Sequence, residues 1–127
     1  MYRKQIPLML AIFTMASISC SLLTKSDKEA SIEKNSGEQT FEEFGCRECH
    51  VQGAGAAAPS LVGLYGDEVL LQDGSQVVAE EIYIRESILE PARRIVDGYK
   101  PIMPGFGERL SEEQLAALIE YIRSLAD

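Results

Sequence analysis

Five consecutive residues, Cys46-Arg47-Glu48-Cys49-His50, constrain this chain more than any other feature of it. Two thiols three positions apart on a helical turn reach the two vinyl groups along one edge of a porphyrin, and the adjacent imidazole swings under the iron. The pattern therefore reads as an attachment signature for haem c. Other uses of such a pattern make different demands. A dithiol redox site of the thioredoxin kind sits at a helix start after a strand, and no βαβ pattern precedes Cys46. A structural zinc needs four ligands. With three cysteines and one histidine in all 127 residues, no second Cys or His cluster exists to complete one. The expected cofactor is one covalent haem c, held by Cys46 and Cys49, with His50 as an iron ligand.

For the sixth iron position the candidates are methionine, lysine or an open site. No other imidazole competes, because His50 is the only histidine. Of the four methionines, Met1, Met9 and Met15 lie in the first 19 residues, which have the form of an export signal, and this leaves Met103 for the rest of the chain. A lone methionine is ordinarily a filler of core gaps. Met103 differs in context: it stands in Tyr99-Lys100-Pro101-Ile102-Met103-Pro104-Gly105-Phe106, where two prolines stiffen an extended loop that can present a thioether. Met103 is the expected second axial ligand.

The N-terminus has the form of an export signal. Arg3 and Lys4 precede an apolar run from Ile6 to Ser19 that falls short of the roughly 18 residues of a spanning helix. That run ends at Ser17-Ile18-Ser19-Cys20, and a cysteine after small residues at this point resembles a bacterial lipoprotein signal, with Cys20 lipidated. The expected organisation is a signal peptide over 1–19, a lipid-anchored polar tether over 20–37, and a mono-haem domain over 38–127. The tether is rich in Ser, Lys, Glu and Asn and has little that could form a core. This predicts a protein held on the extracytoplasmic side of a membrane, on the periplasmic side. With 12 basic against 20 acidic residues the formal charge is −8, and loss of Arg3 and Lys4 would deepen it; such a chain does not bind nucleic acid.

Within the domain the patterning predicts a mainly α fold of three helices and one short hairpin. Gln39 to about Glu48 is the first helix, with Phe41 and Phe44 on one face. Asp73-Gly74 between two β-prone runs marks the hairpin. Glu80–Leu89 is the second helix, stopped by Pro91, with Tyr83, Ile84 and Ile88 inward. The third runs from Glu112 to about Ala126, with Ser111 and Gln114 as a capping box and Leu115, Leu118, Ile119, Ile122 and Leu125 as one apolar stripe.

Taken together, Gly37, Phe41, the Cys46–His50 motif, Pro59, Met103-Pro104-Gly105-Phe106 and the final helix resemble the class I c-type cytochromes over almost the whole domain. Leu61-Val62-Gly63-Leu64-Tyr65-Gly66, the hairpin, Tyr83–Leu89 and Gly98-Tyr99 are similar to the cytochrome c domain of subunit II of caa-type haem-copper oxidases. They are also similar to the mono-haem lipoprotein subunit of alternative complex III. The resemblance implies the class I cytochrome c fold, with first and last helices crossing near Gly37, Phe41 and Tyr121. It implies that the Pro59 carbonyl accepts the Nδ1 proton of His50. Tyr99 is the first choice for a haem propionate, with Tyr65, Arg93 and Arg94 as further candidates.

The implied role is that of an electron carrier, not an enzyme: a membrane-tethered cytochrome between a quinol-oxidising complex, or alternative complex III, and a terminal haem-copper oxidase, free or as a complex subunit. A peroxidase or gas-binding protein with a dissociable sixth ligand is the alternative. It would need a distal acid–base residue, and no second histidine supplies one.

Overall fold

The computed structural model describes residues 36–51, 53 and 56–126. The expected signal, Cys20 and most of the tether lie outside the described residues. The chain divides into two units, Met1–Ser31 and Ile32–Asp127, and all that follows concerns the second.

A helix over 36–43, α1, opens the described part. Ser36 and Gly37, the last two residues of the expected tether, belong to it. The sequence pattern predicts one helix running through the cysteine motif; the chain instead stops α1 at 43 and begins a separate 3₁₀ turn at Cys46–Glu48. The physical reason is Gly45, whose φ of 70° lies in the left-handed region that ends helices and that a residue with a Cβ rarely adopts. The backbone of Gly45 still accepts from Glu48 N at 3.2 Å, so the break re-aims the chain without leaving it unbonded.

Strands β1, Glu68–Leu70, and β2, Gln76–Val78, pair antiparallel with Val69 opposite Val77. The connection is five residues long rather than a two-residue Asp-Gly turn. Asp73 Oδ1 accepts from the Ser75 backbone at 2.9 Å, while Leu71, whose N donates across the hairpin to Ser75 O at 2.9 Å, also bridges Val96. That bridge ties the hairpin to the segment after α2. Helix α2, Glu81–Leu89, buries Tyr83, Ile84 and Ile88. Pro91 ends it and starts a short 3₁₀ turn, Pro91–Arg93.

Helix α3, Glu112–Ser124, is closed at its start by a reciprocal capping box. Ser111 Oγ accepts from Gln114 N at 3.2 Å, and Gln114 Oε1 accepts from Ser111 N at 3.0 Å. Its buried face, Leu115, Leu118, Ile119 and Ile122, meets α2 and supplies the two most deeply buried large side chains, Leu115 and Ile119. Truncating either to Ala would cost about 2 to 5 kcal/mol. Tyr121, on the same helix, packs against Phe41 of α1 with ring centroids 5.4 Å apart. Gly37 lets α1 approach α3 closely: a Cβ at that position would stand 2.0 Å from the carbonyl oxygen of Ala117. These elements form the small α fold with one two-stranded sheet, an arrangement compatible with a small cytochrome c. No helix among the described residues is long and apolar enough to cross a membrane.

Candidate functional site

The helices and hairpin do not close on themselves but leave a cavity of about 580 Å³. That size is within the range of cofactor sites. Phe41, Phe44, Leu61, Leu64, Ile84, Ile88, Phe106, Leu118 and Ile122 give it apolar walls. Phe44 and Phe106 meet edge to face at 6.0 Å, and the Arg109 guanidinium lies over both rings, 5.5 and 5.0 Å from their centroids.

Six residues singled out by the sequence, Cys46, Cys49, His50, Pro59, Tyr99 and Met103, line this one cavity. The 3₁₀ turn after Gly45 brings in the first three. Cys49 N and His50 N both donate to Cys46 O, at 3.3 and 3.0 Å, so thiols and imidazole are fixed relative to each other by one turn of backbone. Both thiols are free. Burial pushes the Cys46 thiol up, with Glu42 and Cys49 nearby acting in the same direction. A thiol held neutral is poorly suited to be the nucleophile of a dithiol exchange site or a ready zinc thiolate. Among the described residues no group of three or more His, Cys, Asp or Glu side chains converges on a metal position.

His50 Nδ1 lies 2.8 Å from the carbonyl oxygen of Pro59. A carbonyl only accepts, so Nδ1 carries the proton and donates it. Burial lowers the His50 pKa below the ordinary histidine value, partly opposed by that hydrogen bond. The ring is therefore neutral at pH 7, with the Nε2 lone pair available to a metal and its orientation fixed by the bond to Pro59.

Met103 arrives on a loop without regular structure, which is half-buried at the sulfur-bearing residue itself. The loop is anchored from elsewhere in the fold: Gln72 Nε2 donates to Tyr99 O at 2.6 Å, and Phe106 N donates to Ile88 O at 3.2 Å. Gln72 has no signature in the sequence; it lies in the hairpin connection and reaches Tyr99 only after folding. Among the further polar candidates, Arg94 lines the cavity and Arg93 and Tyr65 do not. Tyr65 instead accepts from Arg123 at 2.8 Å and lies under its guanidinium, and Arg93 pairs with Glu86 at 3.0 Å. Ser87 Oγ, buried on the cavity wall beside Tyr83, meets no partner at hydrogen-bonding geometry.

A flat, largely apolar macrocycle with two carboxylate arms and an iron suits this donor set: two thiols, one oriented imidazole, one thioether, apolar walls and a few polar groups. The family described as cytochrome c oxidase, cbb3-type, subunit III matches residues 33–122, which is most of the chain. No curated protein matches it.

Proposed function

Since this chain belongs to the family of the cytochrome c oxidase cbb3-type subunit III, a haem c electron-transfer family, we propose that it is a mono-haem carrier of single electrons in a respiratory chain. When bound, the haem supplies a one-electron ferric/ferrous couple. Cys46 and Cys49 would hold it covalently, and His50 through Nε2 and Met103 through its thioether would bind the iron. His50 Nδ1 keeps its proton and donates it to the Pro59 carbonyl, which keeps the imidazole a good donor to a metal at Nε2. The apolar walls exclude water and so favour the less charged, reduced site, and a thioether ligand acts in the same direction. Were His50 and Met103 both to hold the iron, oxygen would find no vacant position on it.

The observation that carries this reading is the convergence of Cys46, Cys49, the Pro59-oriented His50 and Met103 on one apolar cavity. The partners proposed are a quinol-oxidising complex, or alternative complex III, on the donor side and a haem-copper oxidase on the acceptor side. Membrane attachment through Cys20 on the periplasmic side is proposed from the sequence alone. Mass spectrometry of the mature N-terminus tests it: an unmodified residue downstream of Cys20 refutes lipidation. For the haem itself, the test is a denatured sample, which should keep its haem; extraction of the haem by acid and acetone from the native protein would refute covalent attachment.

A further inference from the structure

We propose that Glu86 is a positioning residue: it holds the Arg94 guanidinium at the cavity wall so that its outer nitrogens receive a carboxylate arm of the bound haem. The inference rests on the haem reading above and adds a residue to it. Glu86 is the most enclosed ion-paired carboxylate among the described residues. Its side chain is 16% exposed, against 37% for Glu120 and more for the others. Both of its oxygens are engaged, Oε1 with Arg93 Nε and Oε2 with Arg94 Nε, each at 3.0 Å. A carboxylate that has lost most of its water is satisfied by two such partners.

What distinguishes the two arginines is where they lead. Arg93 turns its NH1 to Glu90 at 3.6 Å and stays off the cavity. Arg94 lines the cavity, and the ion pairs of the described residues give its terminal nitrogens no second carboxylate. Glu86 grips Arg94 by Nε, the guanidinium nitrogen attached to the stem. The side chain is thereby fixed while the fork of terminal nitrogens, which suits bidentate binding of a carboxylate, stays available. Next along α2, the unpartnered Ser87 hydroxyl lies on the same cavity wall. A side chain already ordered by Glu86 loses less conformational entropy on binding than a free surface arginine would.

The sign of a potential shift separates positioning from plain electrostatics. Removing a negative charge near an iron favours the ferrous state. Releasing a positive charge from it favours the ferric state. In potentiometric titrations of the haem-loaded full chain, Glu86→Gln should move the equilibrium toward ferric, opposite to the loss of its own charge. Arg94→Gln should move it the same way by about tenfold, which is about 59 mV for a one-electron couple. In the Arg94→Gln background Glu86→Gln should lose its shift toward ferric and leave only the shift toward ferrous that the loss of its own charge produces. A shift of Glu86→Gln toward ferrous, no shift, or the same shift with and without Arg94 overturns the proposal. Should Glu86→Gln not fold, Arg94→Lys decides: it keeps the charge but has no Nε to be gripped, so it should match Arg94→Gln, and a wild-type potential overturns the proposal. An Arg93→Gln shift as large as that of Arg94→Gln also overturns it. Haem retained after denaturation in every variant leaves the haem reading standing whichever way the potentials fall, and a wild-type chain that retains none overturns both.

Discussion

His50 and Met103 reach the same cavity by different means. The His50 segment is held from nearby in the chain, its backbone by Cys46 and its ring by Pro59. The Met103 loop is held from far away, at Tyr99 by Gln72 of the hairpin connection and at Phe106 by Ile88 of α2. Local bonds form without the rest of the fold, whereas distant ones exist only while hairpin, α2 and loop are docked together. Local opening is easiest where the backbone is tied by few, exposed bonds. The difference teaches that the thioether side is the one that gives way first.

The largest test of the contrast removes the covalent anchors. Cys46→Ala with Cys49→Ala should abolish haem retention on a denaturing gel; retention would mean that the His50 segment is not the attachment side. Next is Met103→Ala. It should eliminate the weak near-infrared charge-transfer band of a ferric His/Met haem, lower the reduction potential and open the iron to added ligands, all with the haem still covalently bound. A wild-type spectrum and potential in that variant would show that another group, with Lys100 first in line, holds the sixth position.

Gly37→Ala probes the support of the His50 side, since α1 leads directly into the cysteine turn. Its Cβ would meet the backbone of Ala117, with the carbonyl carbon 2.7 Å away as well as the oxygen, and neither can swing aside as a side chain would. A loss of about 3 kcal/mol in denaturant unfolding is expected; wild-type stability would mean that α1 does not lie against α3. The smallest effect is that of Gln72→Ala, which removes one anchor of the Met103 loop at a cost of about 1 kcal/mol. Added imidazole should then bind the iron about fivefold faster, with global stability lowered by no more than about 1 kcal/mol. An unchanged binding rate would show that the loop is held by its prolines alone.

The same distinction governs what could be read before folding. The cysteine motif and the proline-flanked Met103 could be singled out because each is a short pattern with its own chemistry, whereas Pro59 came from the family resemblance; all of them line the one cavity. The α3 stripe and the Ser111–Gln114 box were legible for the same reason. Gly45 as a helix break was not, because the Phe41/Phe44 spacing runs right up to it without marking a stop and only its left-handed φ reveals the turn. Nor were Gln72 and Glu86, whose partners lie beyond any local window or depend on how the Pro91 turn redirects the arginines. Tyr65 and Arg93 looked equivalent to Arg94 as polar candidates. Packing separated them, by giving the first to Arg123 and turning the second to Glu90, off the cavity that Arg94 lines.

The contact of Gly37 with Ala117 carries one further consequence, and it is kinetic. It joins the beginning of the domain to its last helix, so the loop it closes contains the hairpin, α2 and the segments of both His50 and Met103. Closing a long loop is entropically costly, and it slows folding more than it weakens the finished structure. A link between cofactor and chain that forms before this closure would shorten the remaining search, because one prosthetic group would already gather the walls around itself. The glycine at position 37 then sets how late in folding the two ends can meet.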